Sequence, residues 1–90
     1  MLSIRYVTQF KKDLKKYQHQ KRIVQELNDV LMLLISAKKL PEKYRDHFLI
    51  GGYSGMRECH VKPDVLLIYW IDVENNKLVL ERLGSHSELF

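Results

Sequence analysis

The chain has 90 residues, of which 46% are hydrophobic and 29% are charged. This length accommodates one domain, and the composition excludes a disordered or collagen-like chain. The longest apolar run, residues 65–71, is far shorter than the ~20 residues that a membrane-spanning helix needs. The first residues do not resemble a signal peptide, and the single cysteine cannot form an internal disulfide. We therefore expect a cytoplasmic protein with no membrane association.

The charge is unevenly distributed along the chain. Residues 1–47 carry eight Lys and three Arg against five acidic residues, a net +6. Residues 48–90 carry two Lys and two Arg against six acidic residues, a net −2, which gives +4 for the whole chain. A basic half predicts binding to a polyanion, either nucleic acid or an acidic protein. Lysines that only solvate helix faces would explain the same charge, so the distribution alone leaves both readings open.

The N-terminal half predicts one strand and two helices. Residues 2–7 are β-branched and aromatic enough for a short strand, and Thr8 is a suitable N-cap for a helix. The helix should bury one face, because apolar residues recur at i, i+4 and i+7, namely Phe10, Leu14 and Tyr17. Four lysines lie on the other side of this helix, at Lys11, Lys12, Lys15 and Lys16. A longer helix is predicted for residues 21–38 and should be largely buried, because its apolar stripe is widened by Met32, Leu33 and Ile35.

The C-terminal half predicts an antiparallel sheet. Residues 41–55 look irregular, and strands are predicted at 56–61, 65–72 and 78–83. The connections between these strands are too short for crossover helices, so the strands must be antiparallel. The middle strand is apolar on both faces and should lie at the centre of the sheet. The predicted fold class is α+β, with two N-terminal helices packed on one face of a small, mainly antiparallel sheet.

Residues suited to acid–base chemistry lie at the ends of the predicted strands. Because antiparallel neighbours end and begin at the same edge of a sheet, four such residues should gather there: His60, Asp64, Arg82 and His86. Groups of these types can cleave a phosphodiester without a metal. One removes the ribose 2′-OH proton, arginine stabilises the negative phosphorane, and another protonates the leaving 5′ oxygen.

Simpler explanations remain open for each of these residues. A single strand-end histidine is more often structural or exposed, and Asp64 can be only a turn former. Arg82 can simply pair with Glu58 or Glu81. Cys59 neighbours His60 in a strand, so its side chain should point to the opposite face as a packed thiol.

Zinc binding is the competing chemistry. Four residues are possible ligands, namely His47, His60, Asp64 and His86. The sequence lacks the short fixed His or Cys pairs that are typical of zinc sites. We therefore expect no metal.

Several segments together resemble the YafQ branch of the RelE superfamily of bacterial toxins. They are Asp-His-Phe-Leu at 46–49, Gly-Met-Arg-Glu-Cys-His-Val-Lys-Pro-Asp at 55–64, Leu-Ile-Tyr at 67–69, and Glu-Arg-Leu-Gly-Ser-His-Ser-Glu-Leu-Phe at 81–90. The resemblance covers the whole chain in length and element order. It implies a microbial RNase-like fold and a type II toxin that cleaves mRNA, commonly in the ribosomal A site, without a cofactor.

The resemblance also implies the site residues. The catalytic set would be His47, His60, Asp64, Arg82, His86 and Phe90. Asp64 or His60 would be the general base and His86 the general acid. Arg82, with His47, would stabilise the transition state, and Phe90 would position or stack on a base. RNA would be bound by Lys11, Lys12, Lys15, Lys16 and Arg57. Val65 stands where the family often has Trp, which affects the contacts to RNA rather than the chemistry.

The implied partners are mRNA, the ribosome and an antitoxin similar to ribbon-helix-helix DNA-binding proteins. Operator DNA would be reached only through that antitoxin. An alternative function within the same fold is a catalytically weak module that serves mainly as antitoxin partner and co-repressor.

Overall fold

The sheet has five strands and is flanked by three helices. A computed structural model describes all residues, 1–90. The elements in chain order are β1 (Ser3–Tyr6), α1 (Thr8–Lys15), α2 (Lys21–Ile35), β2 (His47–Phe48), β3 (Arg57–Lys62), β4 (Val65–Asp72), β5 (Lys77–Gly84) and α3 (His86–Leu89). Single 3-10 turns at Glu42–Tyr44 and Gly51–Tyr53 flank β2. None of the helices is long and apolar enough to span a membrane.

The strand order β1-β5-β4-β3-β2 places β4 at the centre, as the sequence predicts. β2, β3, β4 and β5 are joined by antiparallel pairing, whereas β1 lies parallel to β5, with Ser3 opposite Lys77. The mainly antiparallel α+β class is therefore confirmed. The short strand β2 falls in the segment that the sequence analysis treats as irregular, because two residues are too few to show an alternating pattern.

One face of the sheet is covered by α1 and α2. This face holds a core cluster of 15 buried residues, which includes Phe10 from α1, Val30 from α2 and Leu67 from β4. Cys59 lies in the same cluster, so its side chain does point away from the face that carries His60. This helix-covered face contains most of the apolar core.

The helix boundaries and one burial prediction are corrected by the structure. Val7 rather than Thr8 is the N-cap of α1, and Thr8 is already helical. α2 ends at Ile35 instead of residue 38, because Ala37 takes a left-handed conformation with φ 57°. Hydrogen bonds from Ala37 N–H and Lys38 N–H back to the last turn close the helix there. Met32 is 59% exposed, so the apolar stripe of α2 is narrower than predicted.

The other face of the sheet, called the open face below, has a much smaller apolar cluster. Its buried members are Leu66 and Ile68 from β4 and Leu89 from α3. The partly buried residues packed around them are Leu49, Tyr53 and Met56. Polar side chains lie on this face where β3 ends and β4 begins, and the candidate site lies there.

Candidate active site

A cleft of about 650 Å³ lies where β3 ends, β4 begins and β5 ends. Its lining residues are Glu58, His60, Pro63, Asp64, Leu66, Ser85, His86 and Ser87. His60 is opposite Leu66, which is opposite Gly84, so the three strand ends lie side by side. The structure thus brings His60, Asp64 and His86 into one cleft, as the hairpin connectivity predicts.

Glu58 is a member of this site that the sequence analysis missed. Its side chain is buried, and Oε1 lies 3.5 Å from Nε2 of His47 and 3.6 Å from Nε2 of His60. The sequence does contain a signal, because residues 58 and 60 are two apart in a strand and must share a face. Glu58 therefore supplies a buried acceptor between two imidazoles.

β2 positions His47 on the same face. His47 pairs with Glu58 in the β2–β3 register. Its Nδ1 lies 2.6 Å from the carbonyl oxygen of Arg45, which has a left-handed φ of 48°. Because a carbonyl oxygen can only accept, Nδ1 must carry the hydrogen. The other ring nitrogen, Nε2, lies 3.5 Å from the carboxylate of Glu58.

Arg82 lies on the open face but is held by Asp13 from α1. The guanidinium donates from Nε to Asp13 Oδ2 at 2.8 Å and from an Nη atom to Oδ1 at 3.3 Å. Leu83 N–H also donates to Asp13 Oδ2 at 3.0 Å. The predicted alternatives for Arg82, pairing with Glu58 or Glu81, are thus wrong. Arg82 is opposite Ile68 in the register, outside the residues that line the cleft.

The Asp13–Arg82 pair shifts the pKa of both groups. Burial would raise the pKa of Asp13, but hydrogen bonds from Arg82, Leu83 and Gln9 lower it below its ordinary value. The hydrogen bond to Asp13 raises the pKa of the Arg82 guanidinium, and Tyr53 acts in the same direction. Arg82 is thus a fixed cation between α1 and the open face.

α3 carries the last two predicted catalytic residues. His86 begins this helix and Phe90 follows it, with their ring centroids 4.9 Å apart. The ring of Tyr53 contacts that of Phe90 edge-on at 5.4 Å, and its hydroxyl donates to the carbonyl of Leu89 at 3.2 Å. Phe90 remains 52% exposed beside the imidazole, so it presents a free aromatic surface.

The predicted RNA-binding residues fall in two places. All four lysines of the N-terminal segment, Lys11, Lys12, Lys15 and Lys16, are exposed, and Lys16 Nζ lies 3.5 Å from Glu88 Oε2 next to the cleft. Arg57 is the first residue of β3, whereas His60 lies in the second half of that strand. Its guanidinium donates to both carboxylate oxygens of Asp46 and lies over the Phe48 ring. Of the predicted RNA-binding residues, Lys16 is therefore the one with a contact next to the cleft.

The side chains that could bind a metal ion are not grouped as a ligand set. Among all 90 residues, no group of three or more His, Cys, Asp or Glu side chains is placed to hold a metal ion. The imidazoles and carboxylates that line the cleft can donate and accept protons.

The protein is a small mixed sheet with helices on one face and a cleft on the other. Because imidazoles and carboxylates line this cleft, the fold and site define a class of α+β protein equipped for acid–base chemistry. Residues 2–90 match the model of a family described as "Bacterial toxin of type II toxin-antitoxin system, YafQ". The chain belongs to this YafQ toxin family, which confirms the resemblance seen in the sequence.

Similar proteins agree with this assignment over the full length. The chain is 39% identical over 88 residues to the mRNA interferase toxin YafQ of Escherichia coli K12, which covers 97% of this chain and 94% of the relative. A crystal structure of a metal-bound toxin from Helicobacter pylori superimposes with a TM-score of 0.92 at 47% identity, covering 100% of both chains. YafQ in the E. coli DinJ-YafQ complex gives a TM-score of 0.85 at 37% identity, covering 100% and 99%.

Proposed function

We propose that this chain is a toxin that cleaves mRNA by general acid–base catalysis in the open-face cleft and so inhibits translation in the cytoplasm. The observation that carries the proposal is the shared cleft of His60 and Asp64, from the β3–β4 hairpin, and His86, from α3. The relatives that bear the name mRNA interferase support the same activity.

The reaction has two proton transfers. A base takes the proton from a ribose 2′-OH, and the 2′ oxygen forms a bond to the adjacent phosphorus. The bond from phosphorus to the 5′ oxygen of the next nucleotide breaks, and an acid protonates that oxygen. The products are a 2′,3′-cyclic phosphate and a free 5′-OH, so no group outside RNA and protein is consumed.

We assign distinct roles to the side chains of the cleft. His60 or Asp64 acts as the base, and His86, on α3, acts as the acid. Imidazole is suited to both steps because its ordinary pKa is ~6.5. Glu58 orients His60 and His47 through its contacts at 3.6 and 3.5 Å.

Arg82 and Phe90 complete the proposed site from either side of Tyr53. Arg82 provides a positive charge that stabilises the negative phosphorane, in a guanidinium already oriented by Asp13. Phe90 offers an exposed ring on which a base can stack. His47 assists through Nε2, which faces the site across Glu58.

The lysines of the N-terminal segment are proposed to bind the phosphates of mRNA and ribosomal RNA. They are exposed on α1 and at the residue that follows it, and Lys16 reaches Glu88 next to the cleft. Each phosphate contact adds to the salt dependence of binding. Recruitment to the ribosome would then place mRNA in the cleft. Arg57 is proposed as a more distant RNA contact, weakened by its pairing with Asp46.

Cleavage of a defined mRNA, alone and on programmed ribosomes, tests the proposal. His86→Ala should lower the rate by about 100- to 10,000-fold with an unchanged melting temperature, because the leaving oxygen loses its proton donor. His19→Ala is the matched control, since His19 is exposed in the turn between α1 and α2, and should keep full activity. Equal rates for His86→Ala and the wild type would contradict the mechanism.

A second set of conditions tests the competing metal chemistry. We expect cleavage to continue in EDTA, since every proposed step uses protein side chains. Loss of activity in EDTA that a divalent metal restores would contradict the proposed mechanism. Comparison of free and ribosome-bound mRNA separates general nuclease activity from ribosome-dependent cleavage.

We further propose that the chain binds an antitoxin of the ribbon-helix-helix type and reaches operator DNA only through it. A specific observation favours an antitoxin as partner, because YafQ of E. coli is found in a toxin–antitoxin complex with DinJ. The basic N-terminal half would attract an acidic antitoxin segment. If the toxin–antitoxin complex forms tightly but no RNA is cleaved with or without ribosomes, the alternative co-repressor role is correct.

A further inference from the structure

α3 is too short to hold its position without contacts to the rest of the protein. It has four residues and forms a single turn, whereas isolated helices shorter than ~12 residues are unstable in water. This turn nevertheless carries His86, the proposed general acid. The contacts that fix α3 therefore decide where the imidazole lies.

The carboxylate of Glu88 makes three of these contacts. Its Oε1 accepts from Ser85 N–H at 2.8 Å and from the hydroxyl of Tyr17 at 3.3 Å. Its Oε2 lies 3.5 Å from Nζ of Lys16. The N–H of Glu88 donates to Ser85 Oγ at 3.3 Å, so the two residues form a reciprocal capping box. One side chain thus closes the turn and ties it to the residues that follow α1.

The end of β5 is shaped to allow these contacts. A Cβ atom at Gly84 would lie 3.1 Å from Glu88 Oε1 and 3.3 Å from Leu89 Cδ2, which is tighter than most such contacts. Leu89 itself packs against Leu66 and Ile68. The turn is therefore held on one side by an apolar side chain and on the other by the Glu88 carboxylate.

We propose that Glu88 is a positioning residue for RNA cleavage, which holds α3 so that His86 faces the cleft. This inference rests on the proposed function and deepens it. Glu88 acts through Ser85, Tyr17 and Lys16 and does not itself exchange a proton with RNA. Its role is geometric, and displacement of a reacting group by ~1 Å can lower a rate about 100-fold.

A purely electrostatic role for Glu88 would have the opposite signature. A carboxylate beside a cleft that binds RNA repels phosphates, so removal of the charge alone would strengthen RNA binding and lower KM. The positioning role predicts instead that kcat falls while KM changes little. The two roles are therefore separated by which kinetic constant moves.

Three variants test this distinction in single-turnover and steady-state RNA cleavage. Glu88→Ala should lower kcat about tenfold, because α3 loses its tie to Ser85 and Tyr17. Glu88→Gln should retain kcat within about threefold, since its amide oxygen can still accept both hydrogen bonds. Glu74→Ala is the matched control, because Glu74 is exposed in the turn between β4 and β5, and should behave as wild type.

Hydrogen exchange provides a readout that is independent of activity. The N–H groups of Glu88 and Leu89 donate to Ser85 O, and that of Phe90 donates to His86 O. These three amides should lose protection in Glu88→Ala and keep it in Glu88→Gln. If Glu88→Ala fails to fold, Tyr17→Phe replaces it and should lower kcat about twofold by removing one of the contacts.

The outcomes separate this inference from the proposed function. The positioning role is wrong if kcat is unchanged in Glu88→Ala, or if Glu88→Ala and Glu88→Gln have equal kinetic constants. The proposed function stands in either case as long as His86→Ala remains inactive. If Tyr17→Phe is used and leaves kcat and amide protection unchanged, the inference is also wrong. If the wild type and His86→Ala both fail to cleave RNA, the proposed function fails and the inference falls with it.

Discussion

The two faces of the sheet differ in how much apolar surface they bury. The helix-covered face holds a cluster of 15 buried residues, whereas the buried cluster of the open face has three, one of which comes from α3. The open face carries the cleft with Glu58, His60 and His86. Stability therefore resides mainly in one face and the candidate chemistry in the other. Substitutions on the first should act through global unfolding, and those on the second should act locally.

The largest expected effect on stability is at the centre of the helix-covered face. Leu67→Ala should lower the free energy of unfolding by about 2–5 kcal/mol, because Leu67 is fully buried and leaves a cavity. Leu66→Ala, on the other face of the same strand, is the control and should fall at the lower end of that range. Urea unfolding measures both, and a larger loss for Leu66→Ala would reverse the comparison.

Asp13 is the exception that joins the two faces. It is buried in α1 yet bonds to Arg82 on the open face. Asp13→Asn should lower the free energy of unfolding by about 3 kcal/mol, because it leaves a partly buried guanidinium without its counter-charge. Gln9→Ala removes only a hydrogen bond to the same carboxylate and is the milder control. Equal stabilities for wild type and Asp13→Asn would show that the pair contributes nothing.

The same carboxylate predicts a pH dependence of stability. The pKa of Asp13 is lowered in the folded protein, so the unfolded state takes up its proton first as the pH falls. Its contribution is complete above the ordinary aspartate pKa of ~3.9 and is lost as the pH falls through the folded value. The difference in unfolding free energy between wild type and Asp13→Asn should therefore shrink below about pH 4, which acid titration of both proteins measures.

A smaller and more local effect is expected at Leu89. Leu89→Ala should free α3 while costing only about 1 kcal/mol of global stability, because the cluster it leaves is small and at the surface. RNA cleavage should fall while the urea midpoint changes little. A full loss of folding would show that the open-face cluster belongs to the main core.

The smallest effect is expected at Cys59, which should not react at all in the native state. Burial raises the pKa of its thiol far above the usual range, and the charges of Asp46 and Glu58 raise the same pKa by smaller amounts. Thiolate is the reactive form, so a thiol reagent should label Cys59 only after denaturation. Rapid labelling of the native protein would contradict the burial of this face.

The sequence predicts the elements with long, regular patterns and misses those that depend on tertiary contacts. β3, β4 and β5 follow from their apolar runs and short turns. Asp13 was not predicted as a partner of Arg82, although it lies three residues after Phe10 and therefore on the buried side of α1. The exposure of Met32 could not be read from its type, since it depends on which side of α2 packs against the sheet.

The candidate site shows the same division. His60, Asp64 and His86 could be placed together because antiparallel pairing alone brings strand ends side by side. α3 was not predicted, although Ser85 and Glu88 have the spacing of a capping box. The contacts of Glu88 with Lys16 and Tyr17 join positions that are 72 and 71 residues apart in the sequence. No local pattern encodes such contacts.

The parallel pairing of β1 with β5 has a consequence for how the protein is made. Ser3 lies opposite Lys77, so β1 can pair with its neighbour only after the helices and strands between them have been synthesised. Contacts between such distant positions also slow folding. In a newly made molecule the sheet therefore stays incomplete until β5 has been made and β1 can pair with it.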